Sequence, residues 1–267
     1  MKRILVGIAA AASLLATGAF AADLPARTYT KAPVFVEPVY NWTGFYIGGN
    51  IGYSWGRSDD TSTLTNTAGT VLFTSADKTD LNGIVGGGQI GYNWQMQGWV
   101  WGFEADIQGT DEKGTRAFTF TPAPTFNTNL AFIPSTPVPF ALTQKIDWFG
   151  TVRARAGVLV TPKVLLYATG GLAYGEVNSS ETVATAVPSA FSASNTNVGW
   201  TVGAGIEGVI GGNWTAKLEY LYVDLGTVSG SFTLPSTNVI SYNSRITDNI
   251  LRVGINYKFD GPVVAKF

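Results

Sequence analysis

Neither cysteine nor histidine occurs among the 267 residues. Without cysteine the chain has no disulfide framework, no thiolate metal site and no sulfur to carry a lipid anchor. Without histidine it lacks the side chain on which serine-nucleophile catalysis, imidazole-ligated metals and most neutral-pH acid–base chemistry depend. Charge is also scarce, with Asp, Glu, Lys and Arg making up 13% of the chain against about 25% in soluble domains. The bases do not cluster, so nucleic acid is not expected as a partner. Beyond the first 21 residues no run of 18 apolar residues occurs, which excludes a membrane-spanning helix.

What is present begins with an address. Lys2 and Arg3 precede the apolar run from Ile4 to Ala16, and Ala19-Phe20-Ala21 forms a small-x-small cleavage site. Residues 1–21 therefore read as a secretory signal peptide. Taking Lys2 and Arg3 away leaves 15 Lys+Arg against 18 Asp+Glu, a net charge of about −3. Residues 22–42 read as an extended periplasmic leader, with Pro25, Pro33 and Pro38 opposing helix and central-strand pairing. An exported, charge-poor chain without membrane helices is either a secreted all-β protein or a barrel that crosses a membrane by strands.

From Thr43 onward apolar and polar residues alternate with period 2 in eight segments: 43–55, 81–96, 99–108, 144–160, 164–176, 197–210, 214–225 and 244–259. Each is long enough for a tilted spanning strand of about 9–11 residues. Long links at 56–80, 109–143, 177–196 and 226–243 alternate with tight ones at Gln97-Gly98, Thr161-Pro162-Lys163 and Gly211-Gly212-Asn213. Long loops outside and short turns inside are the mark of an outer-membrane barrel. The expected fold is all-β, an eight-stranded antiparallel up-and-down transmembrane β-barrel over 43–259, with 260–267 as a C-terminal extension.

One face of every segment is apolar, and its aromatics gather at the ends. Trp94, Trp99, Trp214, Tyr257 and Phe259 adjoin short turns or the C-terminal exit, whereas Tyr53, Trp55, Trp148, Tyr174, Trp200 and Tyr222 adjoin long links. Two aromatic belts separated by small aliphatics suit two membrane–water interfaces. The opposite face reads mostly Gly, Thr and Asn, with Glu104, Asp106, Glu207 and Glu219 against Arg153, Arg155, Lys217 and Arg252. Eight strands leave a lumen only wide enough for side chains, so these charges are expected to pair as a structural network. Centring the turn on Gly212 places Glu207 opposite Lys217 and predicts an ion pair between them.

Two motifs imitate catalytic or cofactor chemistry. Gly203-Ala204-Gly205-Ile206-Glu207-Gly208 spells G-x-G-x-x-G, but it falls within a strand rather than at a strand-to-helix turn. Glu104 and Asp106 lie two apart on one face, where they are expected to hold Arg153 and Arg155 rather than to catalyse. No catalytic residue, cofactor site or metal site is assigned.

Ala22-Asp23-Leu24-Pro25 followed by Tyr40-Asn41-Trp42-Thr43-Gly44-Phe45-Tyr46-Ile47-Gly48-Gly49-Asn50 resembles the start of the Omp25/Omp31-type outer-membrane proteins of alphaproteobacteria. Leu251-Arg252-Val253-Gly254-Ile255-Asn256-Tyr257-Lys258-Phe259, with Gly261-Pro262-Val263-Val264 after it, is similar to their C-terminal end. The resemblance implies an eight-stranded barrel, residence in the cell outer membrane and surface loops seen by host immunity. Members of the group are often called porins. Separately, Arg252, Gly254, Tyr257 and Phe259 resemble the signal that barrel-assembly machinery reads on a last strand. Eight residues follow Phe259, so either it or Phe267 ends that signal, with Phe259 favoured by its outward phase.

Three roles stay open at this point. The first is a structural surface protein with a plugged lumen, embedded in outer-membrane lipids and lipopolysaccharide. The second is a channel for small solutes, which the narrow lumen opposes. The third is loop-mediated adhesion or binding of a host or surface ligand. Loop 109–143, with Phe118, Phe120, Phe126, Phe132 and Phe140, is unusually apolar for an exposed segment.

Overall fold

The computed structural model describes residues 39–120, 125–126, 132–133, 137–183, 189–233 and 238–259. The signal peptide, the leader up to Pro38 and the 260–267 extension lie outside them.

Alternation of side chains lets each segment bury one face and present the other to lipid, so every described element is a strand. In chain order they are β1 (Gly44–Thr65), β2 (Val71–Met96), β3 (Trp99–Thr110), β4 (Lys113–Phe120), β5 (Thr125–Phe126), β6 (Phe132–Ile133), β7 (Val138–Thr161), β8 (Val164–Val183), β9 (Ser189–Gly211), β10 (Trp214–Thr233) and β11 (Val239–Lys258). Antiparallel pairing runs β1-β11-β10-β9-β8-β7-β3-β2, and β2 returns to β1 to close a ring of eight. Closure leaves no free edge at membrane depth, which is the condition for strands in hydrocarbon.

Three two-residue turns join neighbours at one end of the ring, where Met96 pairs with Trp99, Thr161 with Val164 and Gly211 with Trp214. Gln97 and Gly212 take positive φ there, 55° and 51°, as tight hairpins require. On the opposite end the strands run much further than the alternation marked. The links expected as loops at 56–80, 177–196 and 226–243 are mostly ladder, and β4 and the start of β7 pair as a hairpin within 109–143. Many of their residues are Thr, Ser and Asp rather than alternating hydrophobics, because the outward face meets water and the inward face is packed with polar side chains such as Ser58, Asp60, Thr79 and Ser244.

Above the membrane the ring divides. Pairing between β9 and β10 stops at Trp200 with Asp224, although β9 begins at Ser189 and β10 continues to Thr233. A bulge between Asp224 and Thr227, with Gly226 at φ 75°, turns β10 aside there. Between β2 and β4 a single register pair, Asn82 with Lys113, is formed. Two four-stranded sheets, β2-β1-β11-β10 and β4-β7-β8-β9, therefore rise from the closed hoop. Gln144 Nε2 bridges them, donating to Asp60 Oδ1 and Ser244 Oγ at 3.0 Å each.

Close approach inside the hoop explains one glycine. A Cβ on Gly87 would sit 1.9 Å from the Ile107 carbonyl oxygen, so β2 and β3 reach their spacing only because that position has no side chain.

Candidate functional site: a sealed lumen

The apolar face of each strand points outward. Ile51, Phe103, Leu172 and Val253 are all more than half exposed in the isolated chain, as are the lipid-facing residues of a barrel. Rings cluster at both rims. Trp214 packs edge-on against Tyr257 at 5.0 Å on the short-turn side, and Trp200 lies 5.4 Å from Tyr222 on the other.

Inward, the lumen is filled in layers. At the short-turn end Trp42 is 1% exposed and packs with Val100, Leu165 and Tyr167. Its backbone N–H donates to Gln95 Oε1 at 2.8 Å and its indole N–H to the Pro162 carbonyl at 3.2 Å. The end of the expected leader is thus the stopper of the lumen. Sequence reading missed this residue; the only signal was an aromatic in a Pro-containing stretch, one residue ahead of the first alternating strand.

Above Trp42 lie the eight predicted charges, each 5% exposed or less. Glu104 Oε1 accepts from Arg153 Nη2 at 2.5 Å and from Lys217 Nζ at 2.9 Å, while Tyr46 Oη donates to Oε2 at 2.8 Å. Asp106 Oδ2 accepts from Arg153, Arg252 and Thr151 at 2.8–2.9 Å. Glu219 accepts from Arg252 Nε at 2.8 Å, Arg153 Nη1 at 3.1 Å and Tyr167 Oη at 3.0 Å. Glu207 accepts from Arg155 Nη2 at 2.6 Å, Thr215 Oγ1 at 2.6 Å and Asn256 Nδ2 at 2.9 Å. The Arg155 guanidinium also lies 4.0 Å from the Tyr167 ring centroid, a cation–π contact.

Lys217 and Glu207 are register partners, yet they do not form the expected ion pair. The Lys217 ammonium reaches across the lumen to Glu104 instead, and Glu207 is taken by Arg155. In a lumen this narrow the far wall is as near as the neighbouring strand, so cross-lumen contacts compete with cross-strand ones. Arg155 likewise favours Glu207, at 2.6 Å, over Glu104 at 3.8 Å.

A third layer contradicts the expectation of a Gly/Thr/Asn interior. Leu81, Val85, Ile146, Phe149, Val177, Leu221, Val223, Leu225, Ile246 and Ile250 point inward and form a buried apolar cluster towards the outer end. Val85, Phe149 and Leu221 sit beside outward apolar residues, whereas Leu81, Ile146, Val177 and Ile246 stand between polar outward ones in stretches that continue the long links. A run apolar on both faces loses its period-2 signal, which is why the first group was not read. Above it, Asp60 accepts from Ser58, Thr79 and Gln144.

One group stands apart. Glu112, in the link between β3 and β4 at the level of the outer aromatic rim, is fully buried and faces the Asp248 carboxyl together with Ser54 and Thr110. Among the described residues no base pairs with it. Burial pushes its carboxyl up to about 8, and the nearby Asp248 charge adds to the effect. Asp248 itself accepts from Ser54 Oγ.

Arg252, Gly254 and Tyr257 lie in the last part of β11, and Phe259 directly follows it. Arg252 faces the lumen, while Tyr257 and Phe259 contact each other at 5.2 Å on the outer surface. The G-x-G-x-x-G stretch is interior to β9 and pairs with β8 and β10 throughout.

A closed ring of eight amphipathic strands, greasy outside and ionic within, defines a transmembrane β-barrel. The family model for the outer membrane protein beta-barrel domain matches residues 7–259, and the chain belongs to that family. It is similar to the 31 kDa outer-membrane immunogenic protein of Brucella melitensis, at 37% identity over 97% of this chain and 100% of that one. The 22 kDa outer membrane protein of Rhizobium leguminosarum is 31% identical over 86% and 82% of the two chains. Among solved structures, the outer membrane protein OprG of Pseudomonas aeruginosa aligns over 84% of this chain and all of that one, with 12% identity and a TM-score of 0.48. The protein is therefore an outer-membrane β-barrel protein.

Proposed function

We propose that this barrel is a structural, non-conducting element of the outer membrane that raises its long hairpins as a surface display, and that it has no enzymatic activity. The observation that carries the reading is the filled lumen. Eight paired charges lie between the Trp42 stopper and an apolar layer towards the outer end, and each is 5% exposed or less. Ten residues of β1 follow Trp55, which is roughly 33 Å measured along the strand, so the display stands well clear of the lipid. The immunogenic character in the Brucella relative's name suits such a display.

Single-channel recording in planar bilayers tests the reading. Purified, folded protein is expected to leave the membrane silent at neutral pH; steady openings would replace it with the solute-channel role.

The assembly signal is assigned to Arg252, Gly254, Tyr257 and Phe259, with the barrel-assembly machinery as partner. Deleting 260–267 should leave outer-membrane insertion intact. Loss of insertion would move the signal to Phe267.

A further inference from the structure

Only two of the six described arginines project more than half their side chain into the surroundings, Arg57 at 55% and Arg245 at 60%. The others are Arg153, Arg155 and Arg252 within the lumen, and Arg116 at 15%. Both exposed arginines line the same recess of about 590 Å³ on the outer wall, together with Trp55, Asp59, Asp80 and Tyr222.

The register fixes the height of this recess. Tyr222, Asn249, Trp55 and Asn82 form one outward row across β10, β11, β1 and β2, and it contains two rings of the outer girdle. The next outward row is Asp224, Thr247, Arg57 and Asp80, and the one above is Thr227, Arg245, Asp59 and Lys78. Arg57 and Arg245 are therefore diagonal neighbours on adjacent strands, one and two rows above the rings. Aromatic girdles sit at headgroup level, so these guanidiniums stand where lipid phosphates lie. Diagonal neighbours on one face are about 7–8 Å apart at Cα, close enough for both forks to reach one phosphate.

We propose that Arg57 and Arg245 form a binding site for the phosphate of an anionic lipid in the outer leaflet, with Trp55 and Tyr222 supporting the sugar or acyl portion below it. The inference rests on the outer-membrane placement of the barrel. The acidic neighbours are engaged but not remote. Asp59 is held by Lys78 at 3.4 Å, and the buried Asp224 holds Arg245 through Nη2 at 2.7 Å, so that arginine would meet a phosphate with its remaining donors. Arg57 meets Asp80 only at 3.5 Å with both side chains largely exposed, a contact of little strength. A phosphate can take a guanidinium bidentately, which this single long contact does not.

The test uses the full mature chain folded in detergent and native mass spectrometry. Its probes are bis-phosphorylated lipid A, the same lipid with both phosphates removed, and inorganic phosphate. The unaltered protein is expected to bind bis-phosphorylated lipid A at least tenfold more tightly than the Arg57→Gln/Arg245→Gln variant. Lys113→Gln, on the other wall, should bind like the unaltered protein, and each single arginine variant should lose threefold or more. Equal binding by the double variant overturns the site. So does equal binding of the phosphate-free lipid, which would leave an acyl contact alone. Displacement by equimolar inorganic phosphate would mark a free-anion site and overturn the lipid assignment. Heat-modifiable gel migration of every variant separates the outcomes: barrels that stay folded without discriminating lipid A remove the site and leave the barrel reading standing. Failure of the unaltered protein to insert into membranes removes both.

Discussion

The same substitution should have opposite signs at two buried glutamates. Glu104 receives hydrogen bonds from Arg153, Lys217 and Tyr46, so Glu104→Gln strands buried bases and should cost about 3–5 kcal/mol. A drop in the urea midpoint of the folded barrel in detergent checks this. Glu112 is buried with no base beside it, and burial raises its carboxyl to about 8. A raised carboxyl means that the folded state holds a proton which the unfolded chain gives up near its ordinary value of about 4.3. The stability that protonation supports is whole below that value and lost as pH climbs through about 8. Glu112→Gln should therefore match the unaltered protein at pH 4 and exceed it by about 2–4 kcal/mol at pH 9. Urea midpoints at the two pH values read the difference directly, and equal gains at both would show that ionisation is not the cause.

At the scale of elements, the spanning strands were legible because lipid on one side and an ionic lumen on the other impose strict alternation. Trp99, Trp101, Phe103 and Ile107 against Val100, Glu104, Asp106 and Gln108 in β3 show it plainly. The outer extensions were not legible, since Asp59, Thr61 and Thr63 in β1 face water on a strand whose other side carries Ser58, Asp60 and Ser62. Polar on both faces reads as loop. The charge network was visible as a set of eight residues but not as a set of contacts, because sequence spacing reports neighbours along a sheet and says nothing of the wall opposite. Lys217 turning to Glu104 is that difference in one residue. The extensions should also be separable from the hoop. Excising 61–76, whose ends Thr61 and Ala76 are register partners, and joining the cut with a two-residue turn leaves every lower rung of β1 and β2 in place. Heat-modifiable migration should survive the excision, while its loss would show that the hairpin is needed to close the ring.

For the whole molecule, sealing is distributed over layers rather than vested in one gate. Trp42 with Leu165 and Tyr167 closes one end, the ion network fills the middle, and Leu221, Ile250 and their neighbours close the other. Trp42→Ala should accordingly leave planar bilayers silent, whereas a current from this variant alone would mean that the indole is the sole seal. The two seams in the outer wall have a different consequence. Because β9 and β10 part company above Trp200 and Asp224, and β2 meets β4 at one rung, each upper sheet can change length at its tips without forcing a compensating change in the other. Substitutions and insertions can then accumulate in one half of the outer crown at a time, while the membrane-spanning hoop stays untouched.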